Sequence, residues 1–112
     1  GSVKVVSYGF KHVPGKNVPW ETIIKSTKSG PAKFAQGLNV SDLTVEAFEN
    51  GTKVGGTNSI VYDAGKVIGA NSGKETRFMR VDITEMADGT KELHSHPISK
   101  ESFDKYTKKA TE

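Results

Sequence analysis

Two imidazoles stand two residues apart in Glu92-Leu93-His94-Ser95-His96-Pro97, and Arg77-Phe78-Met79-Arg80-Val81-Asp82-Ile83-Thr84 just upstream carries both arginines of the chain. On a strand, residues i and i+2 project from the same side, so His94 and His96 are preset for joint work. Two imidazoles beside a guanidinium are what phosphodiester cleavage needs. One imidazole takes the proton of a hydroxyl nucleophile, a second group protonates the leaving oxygen, and the cation stabilises charge on the phosphate.

Whether these groups meet depends on the strands that carry them. Met79, Val81 and Ile83 alternate with Phe78, Arg80, Asp82 and Thr84, the period of two of a half-buried strand. A turn at Ala87-Asp88-Gly89 then makes a β-hairpin with the histidine strand. A two-residue turn at Asp88-Gly89 sets Ile83 opposite His94. A three-residue loop, with Gly89 at a left-handed bulge position, sets Ile83 opposite Leu93, Asp82 opposite His94 and Arg80 opposite His96. A one-residue slip sends every side chain to the other face, so the apolar pattern decides. Only the three-residue loop pairs apolar with apolar. It predicts that His94, His96, Arg80 and Asp82 share one face.

Other residues bear on the same chemistry. Asp82 and Glu75 are candidate general bases, though a lone carboxylate also serves as a salt-bridge partner. Lys74 and Arg77 extend the basic cluster of Arg80 and are candidates for holding RNA phosphates. Alternation points Arg77 to the core side, so it must sit at an exposed strand end. His12, in the turn-rich Lys11-His12-Val13-Pro14-Gly15, is a further candidate for substrate binding, and sequence distance does not exclude it. Tyr106 is both a core contact of the last helix and a candidate substrate contact. Gly69-Ala70-Asn71-Ser72-Gly73-Lys74 is not a phosphate loop, because Glu75 follows the lysine and a strand, not a helix, comes next.

Two rival readings of the same residues stand beside this one. A His-x-His pair on a strand can bind zinc, which would make a zinc hydrolase. The string His94-Ser95-His96-Pro97 is similar to that of JAMM zinc isopeptidases, but Ser102-Phe103-Asp104 lacks their Ser-x-x-Asp spacing. The other rival is a non-catalytic module that uses the basic sheet face to bind RNA or protein.

The totals bound the rest. The 112 residues suit one domain, 3–112, with Gly1-Ser2 read as a cloning remnant; 34% are hydrophobic, which makes a modest core. Twelve glycines fit a turn-rich, sheet-containing protein, and the absence of cysteine excludes disulfides and thiolate metal sites. No apolar run approaches the roughly 20 residues of a membrane span. The net charge of +3 favours a polyanionic partner only mildly.

The order of elements predicts an α+β fold: N-terminal helices packed on a four-stranded antiparallel sheet, then a short C-terminal helix. Val3 to Tyr8 reads as a strand or an extended lead-in. Trp20, Ile23 and Ile24 fall at helical spacing after Pro19, and Ser29-Gly30-Pro31 stops the run. A short second helix is expected over 32–36. A third is capped by Asn39 or Ser41, with Leu43, Ala47 and Phe48 as its apolar stripe, and ends at Asn50-Gly51. Strands follow at 59–63 and 66–70, then the hairpin. Ser99 caps a last helix that presents Phe103 and Tyr106.

Three strings of this half carry a resemblance: Tyr62-Asp63-Ala64-Gly65-Lys66-Val67-Ile68-Gly69-Ala70-Asn71-Ser72-Gly73, then Thr76-Arg77-Phe78-Met79-Arg80-Val81, then Leu93-His94-Ser95-His96-Pro97-Ile98-Ser99. Together, over about residues 58 to 104, they resemble the C-terminal nuclease domains of contact-dependent growth inhibition proteins, a class of bacterial polymorphic toxins. The resemblance implies a tRNA-cleaving ribonuclease of the barnase/EndoU/colicin/RelE-like fold, metal-independent and without cofactor. It implies His94, His96 and Arg80 as site residues, with Arg77 and Glu75 nearby. It also implies delivery as part of a larger secreted or cell-surface protein into the cytoplasm of a target bacterium. The implied partners are tRNA and a cognate immunity protein; the basic face suits an acidic one covering His94 and His96, and whether an activating host protein is also needed stays open. The first 57 residues carry no part of it.

Overall fold

A computed structural model describes residues 2–6, 12–15 and 17–110, with side chains to residue 108. Among the described residues, three helices and two sheets make an α+β architecture. The larger sheet has five strands: β1 (Val3–Val5), β3 (Thr52–Val54), β4 (Ser59–Asp63), β7 (Phe78–Glu85) and β8 (Lys91–Ile98), in the order β1-β8-β7-β4-β3. The smaller sheet is β2 (Lys33–Phe34), β5 (Gly69–Asn71) and β6 (Lys74–Thr76), all antiparallel. The helices are α1 (Trp20–Ser26), α2 (Val40–Asn50) and α3 (Lys100–Ala110).

The β7–β8 hairpin has the register that the apolar pattern predicts. Ile83 lies opposite Leu93, Asp82 opposite His94 and Arg80 opposite His96. Its turn is the three-residue loop Ala87–Gly89, closed by Met86 N–H to the Thr90 carbonyl at 2.8 Å, with Gly89 at φ 87°. That left-handed backbone costs glycine nothing. The Thr90 N–H donates to Asp88 Oδ1 at 2.9 Å, tying the loop from inside. This bond holds the Asp88 carboxyl below its usual pKa. A depressed carboxyl adds stability above its unfolded pKa and loses it as pH falls through the lower folded value. An NMR titration should therefore find the Asp88 midpoint below that of the same residue in the unfolded chain; an ordinary midpoint would mean that the loop is not tied.

One side of the large sheet packs on α2. Asn39 Oδ1 caps that helix by accepting from the Asp42 N–H at 3.0 Å, and Leu43 and Ala47 meet Met79, Val81 and Leu93, all three fully buried. The Thr44 and Ser95 hydroxyls, 2.7 Å apart, tie α2 to the same side of β8. Because β8 alternates, Ser95 on the helix side leaves His94 and His96 on the other. That other side is crossed by α3, whose Phe103 and Tyr106 pack on Val54, Val61, Phe78 and Ile98. Ser99 caps α3, its Oγ accepting from the Ser102 N–H at 3.1 Å, as the sequence predicts.

Three expectations need correction, and one strand goes beyond them. The sheet is not four-stranded and antiparallel, because β1 joins β8 in parallel, Val3 opposite Lys91 and Val5 opposite Leu93. The strand expected over 66–70 begins at Gly69 and leaves for the smaller sheet, so β4 pairs directly with β7. The excursion turns back through Ser72 and Gly73, at φ 52° and 80°, the two left-handed positions of a tight hairpin turn. Residues 32–36 form no helix: β2 pairs there with β5, since one turn of helix without neighbours cannot offset its nucleation cost. The edge strand β3 was not foreseen, being only three residues long and adjoining a helix end. Of the lead-in expected over Val3 to Tyr8, Val3–Val5 forms β1, while Tyr8, like Lys11 of the His12 loop, lies outside the described residues.

Candidate active site

The face of β7 and β8 opposite α2 is the floor of the candidate site. Arg80 and Asp82 stand on β7, with His96 and His94 directly across on β8. Antiparallel partners directly opposite each other project from the same side, so the four share a surface patch. On the next strand Ser59 stands opposite Asp82.

Arg80 is held from two directions. Its Nε donates to Asp82 Oδ1 at 2.7 Å, and one of its terminal nitrogens donates to the Tyr106 hydroxyl of α3 at 2.8 Å. Ser59 Oγ donates to the same Asp82 oxygen at 2.6 Å. The Asp82 carboxylate thus anchors a guanidinium and a hydroxyl, the salt-bridge role open to it from sequence. Partial burial works against the charge on Arg80, but the bonds to Asp82 and Tyr106 outweigh it and raise its pKa further. The cation is fixed in position and permanently charged.

The other wall comes from the far end of the chain. His12 stacks on His96, ring centroids 5.3 Å apart and planes 26° from parallel. His12 Nδ1 lies 2.6 Å from the Ala32 carbonyl, and the His12 carbonyl accepts from the Phe34 N–H at 2.7 Å. Residue 12 is therefore fastened through its backbone to β2 and through its side chain to Ala32, just before that strand. The three histidines differ in exposure: His94 is buried, at 8%, whereas His12 and His96 are half-buried. Tyr106 and His12 flank a floor of Arg80, His94 and His96. In comparisons with family models, curated proteins and solved structures, nothing matches the chain.

The remaining sequence candidates lie elsewhere. Glu75 is on β6 of the smaller sheet, where it accepts the Trp20 indole N–H at 2.7 Å. Its expected place beside Arg80 and the histidines is not the observed one, because the 64–77 excursion carries it away. Lys74 and Arg77 join Glu75 around a different cleft of about 720 Å³, completed by Phe78 and the start of α3. Arg77 sits exposed between β6 and β7, as alternation requires, and pairs with Asp63 at 3.1 Å. Its charge is already engaged. Among the described residues, no three His, Asp or Glu side chains converge as metal ligands would. Ser59 escaped the sequence reading because the fourteen residues between β4 and β7 hide their pairing.

Proposed function

We propose that this chain is a ribonuclease domain of the antibacterial toxin class, cleaving tRNA by attack of a ribose 2′-hydroxyl on the adjacent phosphorus. The observation that carries the reading is the shared face: an oriented guanidinium among imidazoles, with a phenol beside it. Arg80 supplies a fixed positive charge for the phosphorane oxygens. Histidines nearby supply a base for the 2′-hydroxyl and an acid for the departing 5′-oxygen. The products are a 2′,3′-cyclic phosphate and a 5′-hydroxyl end. No step calls for a metal or cofactor. Asp82 acts through Arg80, which its Oδ1 orients while also accepting from Ser59.

The resemblance of residues 58–104 to contact-dependent growth inhibition nucleases supports the substrate class. It also supports delivery within a larger protein to the cytoplasm of a target bacterium, and an acidic immunity protein that covers the His96 face.

The test is total bacterial tRNA incubated with the domain in EDTA, alone and in cell lysate, with fragments resolved on a denaturing gel and their ends analysed. Discrete fragments with cyclic-phosphate ends are expected, and His96→Ala should remove them while changing stability by no more than about 0.5 kcal/mol. His94→Ala is the poorer probe, because His94 is buried and its removal leaves a cavity. Cleavage that vanishes in EDTA would sink the metal-independent mechanism. Binding of tRNA without cleavage in buffer or lysate would mark a non-catalytic module instead.

A further inference from the structure

Sequence spacing singles out His94 and His96 as the proton-transfer pair, yet the folded chain places His12 against His96 and buries His94. We infer that His12 is a catalytic residue and that His12 and His96 together move the protons. The inference rests on the ribonuclease reading above and assigns roles within it.

Three observations carry it. First, the hydrogen bond to Ala32 fixes the His12 tautomer. A carbonyl oxygen only accepts, so His12 Nδ1 must donate across the 2.6 Å contact. In the neutral ring the lone pair is then on Nε2. An Nδ1–H held by a carbonyl is a recurrent way of orienting an imidazole whose other nitrogen does the work. Second, the stacked rings can serve a single phosphorus. Their centroids are 5.3 Å apart, a spacing that suits one ring to the attacking oxygen and the other to the leaving oxygen of one phosphodiester. Third, the backbone of residue 12 is pinned as well as its ring, by the Phe34 N–H at 2.7 Å, so this is a built position. His94, in contrast, shows only 8% of its surface.

The step balances as follows. Neutral His12 Nε2 takes the proton of the 2′-hydroxyl as the O2′–P bond forms. The P–O5′ bond breaks, and protonated His96 gives its proton to O5′. Arg80 holds the non-bridging oxygens throughout. Exchange with water then returns His12 to its neutral form and His96 to its protonated form. The titratable and charged groups around the pair are Arg80 and Asp82 of β7, His94 of β8 and Tyr106 of α3.

The variant that tests this is His12→Asn. The asparagine Nδ2 replaces the ring Nδ1 as donor to Ala32, but the amide has no basic nitrogen to take up a proton. With total tRNA in EDTA, His12→Asn should cleave slower by about 10²-fold or more, as expected on losing a general base. It should bind tRNA and melt as the unaltered domain does. Its residual rate should lose the rise at low pH that a base produces and keep the fall at high pH that an acid produces; His96→Asn should do the reverse. Cleavage by His12→Asn within about threefold of the unaltered domain would overturn the assignment and leave the ribonuclease reading standing. Loss of the high-pH limb instead would make His12 the acid, overturning its role as base. If His12→Asn does not fold, ring ¹⁵N shifts of the unaltered domain decide, since a proton on Nε2 and none on Nδ1 would overturn the tautomer. No cleavage by the unaltered domain, in buffer or lysate, would overturn the ribonuclease reading and this assignment with it.

Discussion

Arg80→Ala should slow tRNA cleavage by about 10²- to 10³-fold, the usual loss when one preorganised donor to a transition-state anion is removed. The guanidinium is oriented before substrate arrives, by Asp82 at 2.7 Å and Tyr106 at 2.8 Å, so no reorganisation is needed as charge develops. Its removal leaves Asp82 still bonded to Ser59, at 2.6 Å, and the acidic group is not stranded. The pair with Asp82 is also about a third exposed, so the stability change should be small, near 1 kcal/mol. The expected signature is a variant that melts close to the unaltered domain and binds tRNA, but cleaves it very slowly. Arg80→Lys should recover only part of the rate, because an ammonium lacks the planar fork that spans Asp82, Tyr106 and a phosphate together. Single-turnover cleavage rates beside thermal melts would check both variants. An Arg80→Ala domain that cuts tRNA at the original rate would remove this face as the site.

Leu93→Ala should produce the largest loss of stability, about 2–5 kcal/mol, as for other buried leucines. Leu93 has no exposed surface and packs in the cluster of Phe34, Leu43, Ile68, Met79 and Val81. No neighbour can move in without breaking the strand pairing that places it opposite Ile83. Small domains gain only about 5–15 kcal/mol from folding, so the loss is a large share. At about 4–8 °C per kcal/mol for a domain near this size, the melting temperature should fall by about 8 °C or more. The informative contrast lies along the same strand: Leu93→Ala should cost stability, whereas His96→Ala, on the opposite face, should cost activity. Thermal melts of the two variants test the register itself. If His96→Ala melted far lower than Leu93→Ala, the two faces of β8 would be exchanged.

The hairpin was legible in the sequence because its information is local. Met79, Val81 and Ile83 alternate with polar residues, one loop joins the two strands, and only one loop length matches apolar to apolar. From that alone came the register, and with it the placing of Arg80, Asp82, His94 and His96 on one face. The caps at Asn39 and Ser99 were legible for the same reason, since a cap acts within three residues. The α+β class followed from the order of the elements.

What the sequence did not determine depends on contacts between distant segments. The parallel pairing of β1 with β8, and the antiparallel pairing of β4 with β7 across the 64–77 excursion, join strands whose own patterns name no partner. That excursion took Glu75 to Trp20 and away from the histidines, although it lies only five positions before Arg80. His12 shows the opposite case. It lies far from His96 in sequence and in a loop without periodicity, but its bonds to Ala32 and Phe34 fasten it to β2, where its ring meets His96. The exposure of the three histidines was equally hidden, because alternation assigns a side chain to a face and says nothing of what covers that face. Periodicity therefore determined which residues share a strand surface. The packing of remote segments, driven by burial of apolar area wherever the chain can close, decided which of those residues stand together at the site.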